Sequence, residues 1–422
     1  MPGRNGSART RRPAPAPGGA RPGLRIVTPL PANRHSKDAS HAARKSLILL
    51  LVPTVVLTAI GLVEVLSASS VDAYATYGSS FWFFDRQVLY AALGGAALVL
   101  MWRLPYRAWK KLAAPFLALT VILLLLALHP AAGQSAYGAS RWIAIGPLTV
   151  QPSEFAKLAL VAFAAMILAK KGDKLHEPLH VLLPLAPVLL LVAGIVILQH
   201  DLGTTIVICG TAFVMVFAAG VRGRHLTVAT LAGLAAGAYL VLGTAYRRTR
   251  FLGFLHPQAD PRGAGFQLTQ GLISLGSGGW FGVGLGASRG KWQTVPNAHT
   301  DFIFAILGEE MGFIGELVVL ACFVTLIFAG VRIALRAPDV FGRLLAAGIT
   351  AWIGIQAIVN LGAVTGLLPI TGVPLPLVSF GGSALIVMLA AIGVLASIAR
   401  AGGASGRGKA AAGRARTRKA SA

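Results

Sequence analysis

The sequence predicts an all-α polytopic membrane protein of about ten transmembrane helices, with a large extracytoplasmic loop between helices 7 and 8. Three observations carry that expectation. Hydrophobic residues fill 55% of the 422 positions and charged residues only 12%, against roughly 25% charged in a soluble domain. Runs such as Ala113 to His129, Val181 to Leu198 and Leu344 to Leu368 approach the roughly 20 apolar residues that cross a bilayer. Basic residues, finally, are crowded into alternate loops.

Residues 1–45 are polar, basic and rich in proline and glycine, without the apolar core of a cleavable signal peptide. The first apolar segment, from Ser46, is therefore expected to insert the chain and to stay in it. Residues 1–45 and 401–422 read as disordered cytoplasmic tails around a membrane domain at 46–400, because they hold too little apolar surface to offset chain entropy. Of 38 Lys and Arg, ten lie in residues 1–45 and seven in 400–422, with Asp38 the one acid. That charge suits the anionic lipids of the cytoplasmic leaflet. Nucleic acid is not an expected partner, since no aromatic residue interleaves the basic runs.

The ten spans are expected near 46–68, 88–103, 113–129, 155–170, 180–198, 203–220, 225–244, 302–331, 343–367 and 377–399. The second and fourth are short, and the eighth is long enough to tilt or break. Cys209 and Cys322 fall inside apolar segments and read as buried, inert thiols. With both tails cytoplasmic, the cytoplasmic loops hold twelve cations, among them Arg103, Lys110, Lys170, Arg222 and Arg336. Four of the five opposite loops hold only Arg86 and Arg141. This is the positive-inside pattern.

The fifth opposite loop, residues 246–300, breaks it with Arg247, Arg248, Arg250, Arg262, Arg289 and Lys291. Long loops translocate largely regardless of charge, so the topology stands. The cations suit either lipid headgroups or an anionic substrate, and phosphate is the natural partner of clustered arginine.

Acids are scarce, so their placement is informative. Glu64, Glu154, Asp201, Asp301, Glu309, Glu310 and Glu316 lie within or at the ends of apolar spans, where ionisable groups are costly and point to function. Glu154 and Lys157 share a helical face and are expected to pair. Asp301 opens the eighth span directly after the basic loop. It reads either as an ordinary first-turn acid or as a base for a substrate hydroxyl, with cations holding a phosphate leaving group. The run from Gly276 to Gly286 lacks a P-loop's Gly-Lys-Ser/Thr ending and reads as irregular backbone lining a cavity. His200, His256 and His299 show no metal-ligand spacing, which leaves the metal question open.

At these residues the chain resembles the SEDS family of bacterial membrane proteins (shape, elongation, division and sporulation). The matching blocks are Ser67-Ala-Ser69, Arg141-Trp-Ile, Gln151-Pro-Ser-Glu-Phe-Ala-Lys157, Gln199-His-Asp-Leu-Gly-Thr204, Asp260-Pro with Gly265-Phe-Gln-Leu-Thr-Gln270, Gly276-Ser-Gly-Gly279, His299-Thr-Asp-Phe-Ile-Phe304 with Gly308-Glu-Glu310, Pro369-Ile-Thr-Gly372, Leu375-Pro376 and Ser379-Phe-Gly-Gly-Ser383. Gly286-Ala-Ser-Arg-Gly-Lys-Trp favours the division branch over elongation; sporulation is not separable by motif. Two departures are His200, where the family usually has proline, and Asn297, where glutamate is common.

The resemblance implies a peptidoglycan glycosyltransferase that polymerises lipid II and releases undecaprenyl diphosphate. It makes Asp301 the catalytic carboxylate, with Glu154, Lys157, Ser153, Gln151, Arg141, His299 and Thr300 as supporting or substrate-positioning groups. Arg247, Arg248, Arg250 and Lys291 are the diphosphate-binding candidates, and a divalent cation, magnesium or manganese, could share that task. A class B penicillin-binding protein and other division membrane proteins are the implied partners. A lipid II carrier and a non-catalytic scaffold stand as alternatives.

Overall fold

The computed structural model describes residues 32–420 except 130–132, 137–138, 146–147, 172–177, 261–262, 264 and 293. Twelve α-helices are described: α1 Ala32–Tyr77, α2 Trp82–Arg103, α3 Trp109–Leu128, α4 Pro152–Lys170, α5 Pro178–Leu198, α6 Leu202–Ala218, α7 Gly223–Leu242, α8 Ala245–Leu255, α9 Phe266–Ser277, α10 Ile303–Leu335, α11 Val340–Val364 and α12 Gly382–Ala420. Among the described residues, eight segments are long and apolar enough to cross a membrane, and two shorter apolar helices, Pro184–Leu198 and Leu202–Ala218, complete ten. Each coincides with one of the ten expected spans. The second expected span is not short, because α2 begins upstream at Trp82 and runs 22 residues; the fourth, α4, has 19 residues and α6 has 17.

Chain direction defines two ends of the bundle. The turns around residues 104–108, 219–222 and 336–339 lie at the end with the chain termini; those around 78–81, 199–201, 243–302 and 365–381 lie at the other. The interior is built on α4, α11 and α12, whose apolar windows are 78%, 72% and 78% buried, whereas α7 is 6% buried. Small residues bring the helices close. A side chain at Gly393 would meet the Leu98 carbonyl oxygen at 2.3 Å, and one at Gly348 would meet Met215 and Val161 at 2.7 Å. Trp352, Phe302 and Phe323 fill the centre.

The eighth span breaks. Gly312, at φ 67 and ψ −170, interrupts α10, and the glycine-rich segment after α9 repairs the open backbone. Val283 and Gly284 donate to the carbonyls of Glu309 and Glu310, while Phe313 and Ile314 donate to those of Gly279 and Trp280. Non-helical backbone at membrane depth requires such partners. Gly312 has no alternative: beyond its positive φ, a Cβ there would lie 2.3 Å from the Gly282 nitrogen. The carboxylates of Glu309 and Glu310 face the same segment. Glu309 accepts from Arg289 N, Gly290 N and the Ser288 hydroxyl; Glu310 accepts from Gly286 N, Ser288 N and the Ser67 hydroxyl.

Other expectations need correction. Residues 32–45 and 401–420, expected as disordered tail, continue α1 and α12; alanine, lysine and arginine there are good helix formers, and each stretch prolongs an anchored helix. Residues 1–31 and 421–422 lie outside the described residues. The 246–300 loop contains α8 and α9. Between α3 and α4 stands a small antiparallel sheet, β1 Gly133–Ala136, β2 Ala139–Ile145 and β3 Leu148–Val150, in that spatial order. Its segments are too short to weigh against helical periodicity in the sequence. Both cysteines are unpaired, but Cys209 is exposed on its helix rather than buried.

Candidate functional site

The residues before α10 are stitched, carbonyl by carbonyl, to α11 and to the segment that joins α11 to α12. Phe380 N donates to His299 O at 3.0 Å. The Ser379 hydroxyl donates to Thr300 O at 2.6 Å, and Asn360 Nδ2 donates to Asp301 O at 2.9 Å. Three consecutive backbone positions are thus anchored, and the Asp301 carboxylate projects from a rigid base. Gly372, at φ 72, brings its backbone against that carboxylate, so that a Cβ there would sit 3.5 Å from Asp301 Oδ2. Burial pushes the Asp301 carboxyl up to about 6 from an ordinary 3.8, against the pull of Arg250; Asp201 adds to the rise and Arg141 opposes it. The acid is poised to exchange a proton near neutrality.

Four of the expected supporting groups serve this scaffold. Arg141 on β2 donates from Nε to Gln199 O at 3.1 Å and also bonds His200 O, with Asp201 Oδ2 3.9 Å from its Nη1. It clamps the α5–α6 turn, where Asp201 caps α6 by accepting from Thr204 N and the Thr204 hydroxyl. The expected Glu154–Lys157 pair is present at 2.8 Å with both side chains buried. Lys157 also donates to Gln356 Oε1, and Gln356 Nε2 donates to Pro374 O at 3.0 Å. The ion pair therefore reaches the Asp301 environment through Gln356. Gln151 precedes α4 and donates its backbone N–H to Ser383 Oγ.

The remaining assignments divide. Ser153 is buried with its hydroxyl unpartnered among the described residues. The His299 ring packs against Phe83 at 4.5 Å and Phe380 at 5.9 Å. Burial holds it below its ordinary value, with Asp72 opposing. Thr300 folds back on Asn297 O. Of the four diphosphate candidates, Arg250 is the one whose charge acts on Asp301. Arg247 donates to Leu240 O, Arg248 is exposed, and Lys291 donates to Gly286 O in the segment held by Glu309 and Glu310. Arg247, Arg248 and Arg250 share α8, whereas Lys291 lies in the segment after α9.

Both departures from the family pattern fall on left-handed residues, His200 at φ 60 and Asn297 at φ 55. Proline cannot adopt the first, and asparagine tolerates the second. Asn297 O accepts from Thr300 N and Phe302 N, closing the turn that leads into α10.

Among the described residues no group of three or more His, Cys, Asp or Glu side chains gathers to hold a metal. Sequence reasoning missed Gln356 and Asn360 as parts of the site, while Gly372 and Ser379 stood in the matching blocks without a role at Asp301. Gln356 and Asn360 were detectable as amides four apart on an otherwise apolar helix face.

A polytopic membrane protein carrying an end-on acid in a broken-helix frame, with a buried ion pair wired toward it, is the class these features define. The chain belongs to the cell cycle protein family of FtsW, RodA and SpoVE, whose pattern matches residues 47–402. It is 44% identical over 355 residues to the probable peptidoglycan glycosyltransferase FtsW of Geobacter metallireducens, covering 84% of this chain and 94% of that one. Stage V sporulation protein E of Bacillus subtilis is 42% identical over 353 residues, with coverage of 84% and 96%. Among solved structures, a chain from a peptidoglycan synthase complex that coordinates polymerization and crosslinking superposes with TM-score 0.69 and 33% identity over 83% of this chain and 97% of that one. The rod shape determining protein RodA of Thermus thermophilus gives 0.62 at 31% identity, over 83% and 95%.

Proposed function

We propose that this chain is a peptidoglycan glycosyltransferase that polymerises lipid II into β-1,4-linked glycan for septal wall synthesis. The observation that carries the reading is Asp301: an acid held near neutrality on a backbone anchored at three carbonyls. In this reading Asp301 takes the proton of an acceptor sugar's 4-hydroxyl. That oxygen attacks the anomeric carbon of the donor, the bond to the diphosphate breaks, and configuration inverts. General-base catalysis supplies typically 10²- to 10⁴-fold. Orientation of two lipid-held sugars and neutralisation of the leaving diphosphate supply the rest. Arg250 is best placed for neutralisation, with Arg247, Arg248 and Lys291 as outlying cations. Apolar grooves between spans take the polyprenyl tails.

The cations at the end with the termini, Arg103, Arg107, Lys170, Arg222 and Arg336 among them, favour placing that end in the cytoplasm and Asp301 outside. FtsW names among the relatives favour division over sporulation or elongation. Likeness to a chain from a complex that also crosslinks favours a transpeptidase partner of the class B penicillin-binding type, with other division proteins around it. The lipid-carrier alternative needs free acids inside the bundle; Glu309 and Glu310 are engaged by the 286–290 backbone, whereas Glu64 is buried with neither carboxylate oxygen hydrogen-bonded among the described residues, so the polymerisation assay separates the two readings. A scaffold would keep its role without Asp301.

The test is the purified protein with its cognate transpeptidase and labelled lipid II. Glycan from the wild type and none from Asp301→Ala, with normal expression and partner binding, is the expected result. Polymer retained in that variant would overturn the assignment, and lipid II translocation without polymer would favour the carrier.

A further inference from the structure

We infer that Asn360 is a positioning residue for the reaction at Asp301, acting by clamping the acid's backbone to the segment between α11 and α12; this rests on the function proposed above. Asn360 lies on α11 and is 2% exposed. Its Nδ2 donates to two carbonyls, Asp301 O at 2.9 Å and Val373 O at 2.8 Å. Carbonyls can only accept, so the amide has a single sensible orientation with its nitrogen between them. One turn earlier Gln356 holds the adjacent Pro374 O. Two amides four residues apart thus grip consecutive carbonyls of the same segment, and that segment presents Gly372 to the Asp301 carboxylate.

Side-chain chemistry explains why asparagine serves here. A bridge between two carbonyls needs two donors on one atom. Aspartate has the shape without the donors, alanine has neither, and glutamine has the donors on a longer arm. Removing the bridge leaves His299 O and Thr300 O still held by Phe380 N and Ser379 Oγ. The local chain is therefore loosened at Asp301 rather than undone. A displacement of about 1 Å at a reacting group can lower a rate by as much as 10²-fold.

The experiment measures initial rates of lipid II polymerisation from pH 5 to 8 for full-length Asn360→Ala, Asn360→Asp and Asn360→Gln, each with the cognate transpeptidase. For the alanine variant kcat should fall about tenfold or more, with KM for lipid II within about twofold. Asn360→Asp should lose as much and move the acid limb to higher pH, because a second carboxylate then stands beside Asp301. Asn360→Gln should retain more activity than Asn360→Asp. Wild-type kcat and an unmoved acid limb in the alanine and aspartate variants would overturn the inference, as would a rise in KM alone. Should Asn360→Ala fail to fold, the isosteric aspartate variant and the glutamine comparison decide the matter. Asp301→Asn is run alongside: polymer from it defeats the parent reading, whereas a dead Asp301→Asn with normal Asn360 variants defeats only this one.

Discussion

Replacing Asp301 with asparagine should abolish activity and yet stabilise the fold. Burial lifts the carboxyl from 3.8 to about 6, which makes its ionisation in the folded protein harder than in water by at most about 3 kcal/mol, at 1.36 kcal/mol per pH unit. The sign follows from proton linkage. Between pH 3.8 and about 6 the folded chain keeps a proton that the unfolded chain has released, so stability falls as pH rises through that window and levels off above it. Asparagine has no charge to bury and escapes this penalty. At neutral pH the variant should melt a few degrees higher by scanning fluorimetry, and the difference should shrink toward pH 4. In polymerisation assays the wild-type rate should be half its plateau near pH 6 and about one tenth of it at pH 5, while the variant should lose at least about 10²-fold at every pH. A wild-type acid limb near pH 4, a lower melting temperature for the variant, or retained glycan would refute the reasoning.

Three further outcomes follow from the same geometry. Arg250→Gln removes a cation that favours the Asp301 carboxylate, so the acid limb of the rate profile should move to higher pH; a shift to lower pH would contradict the assignment. Lys157→Met strands Glu154 in the interior, a loss of about 3–5 kcal/mol for a broken buried pair, visible as a lower melting temperature; adding Glu154→Gln should recover part of it. Gly312→Ala places a Cβ 2.3 Å from Gly282 N on a residue at φ 67, and should cut folded yield in detergent sharply, whereas Gly95→Ala, with nothing within 4 Å, should not.

Membrane folds are unusually legible because the bilayer imposes a length and a polarity on each span. The apolar runs and the alternation of Arg and Lys therefore located all ten helices. They also marked α10 as long enough to break; the scarcity of acids drew attention to Glu154 and Asp301, and helical spacing paired Lys157 with Glu154. Overlap with the family's ordered blocks reached the same residues. Charge along the chain carries no distance: only the structure shows that Arg250 on α8 acts on Asp301, and that Lys291 bonds Gly286 O.

What composition and order determined by themselves was the membrane class and the number of spans, since each follows from local polarity summed over a window; the resemblance to the family's blocks is what pointed to Asp301 among seven acids. Tertiary structure alone decided how that acid is held. The carbonyls of residues 299–301 are anchored by groups about 60 to 80 positions away, Asn360, Ser379 and Phe380, and the break in α10 is closed by backbone some 25 to 35 residues upstream. Backbone hydrogen bonds leave no mark in side-chain pattern, so which distant segment satisfies them is settled only when the helices pack.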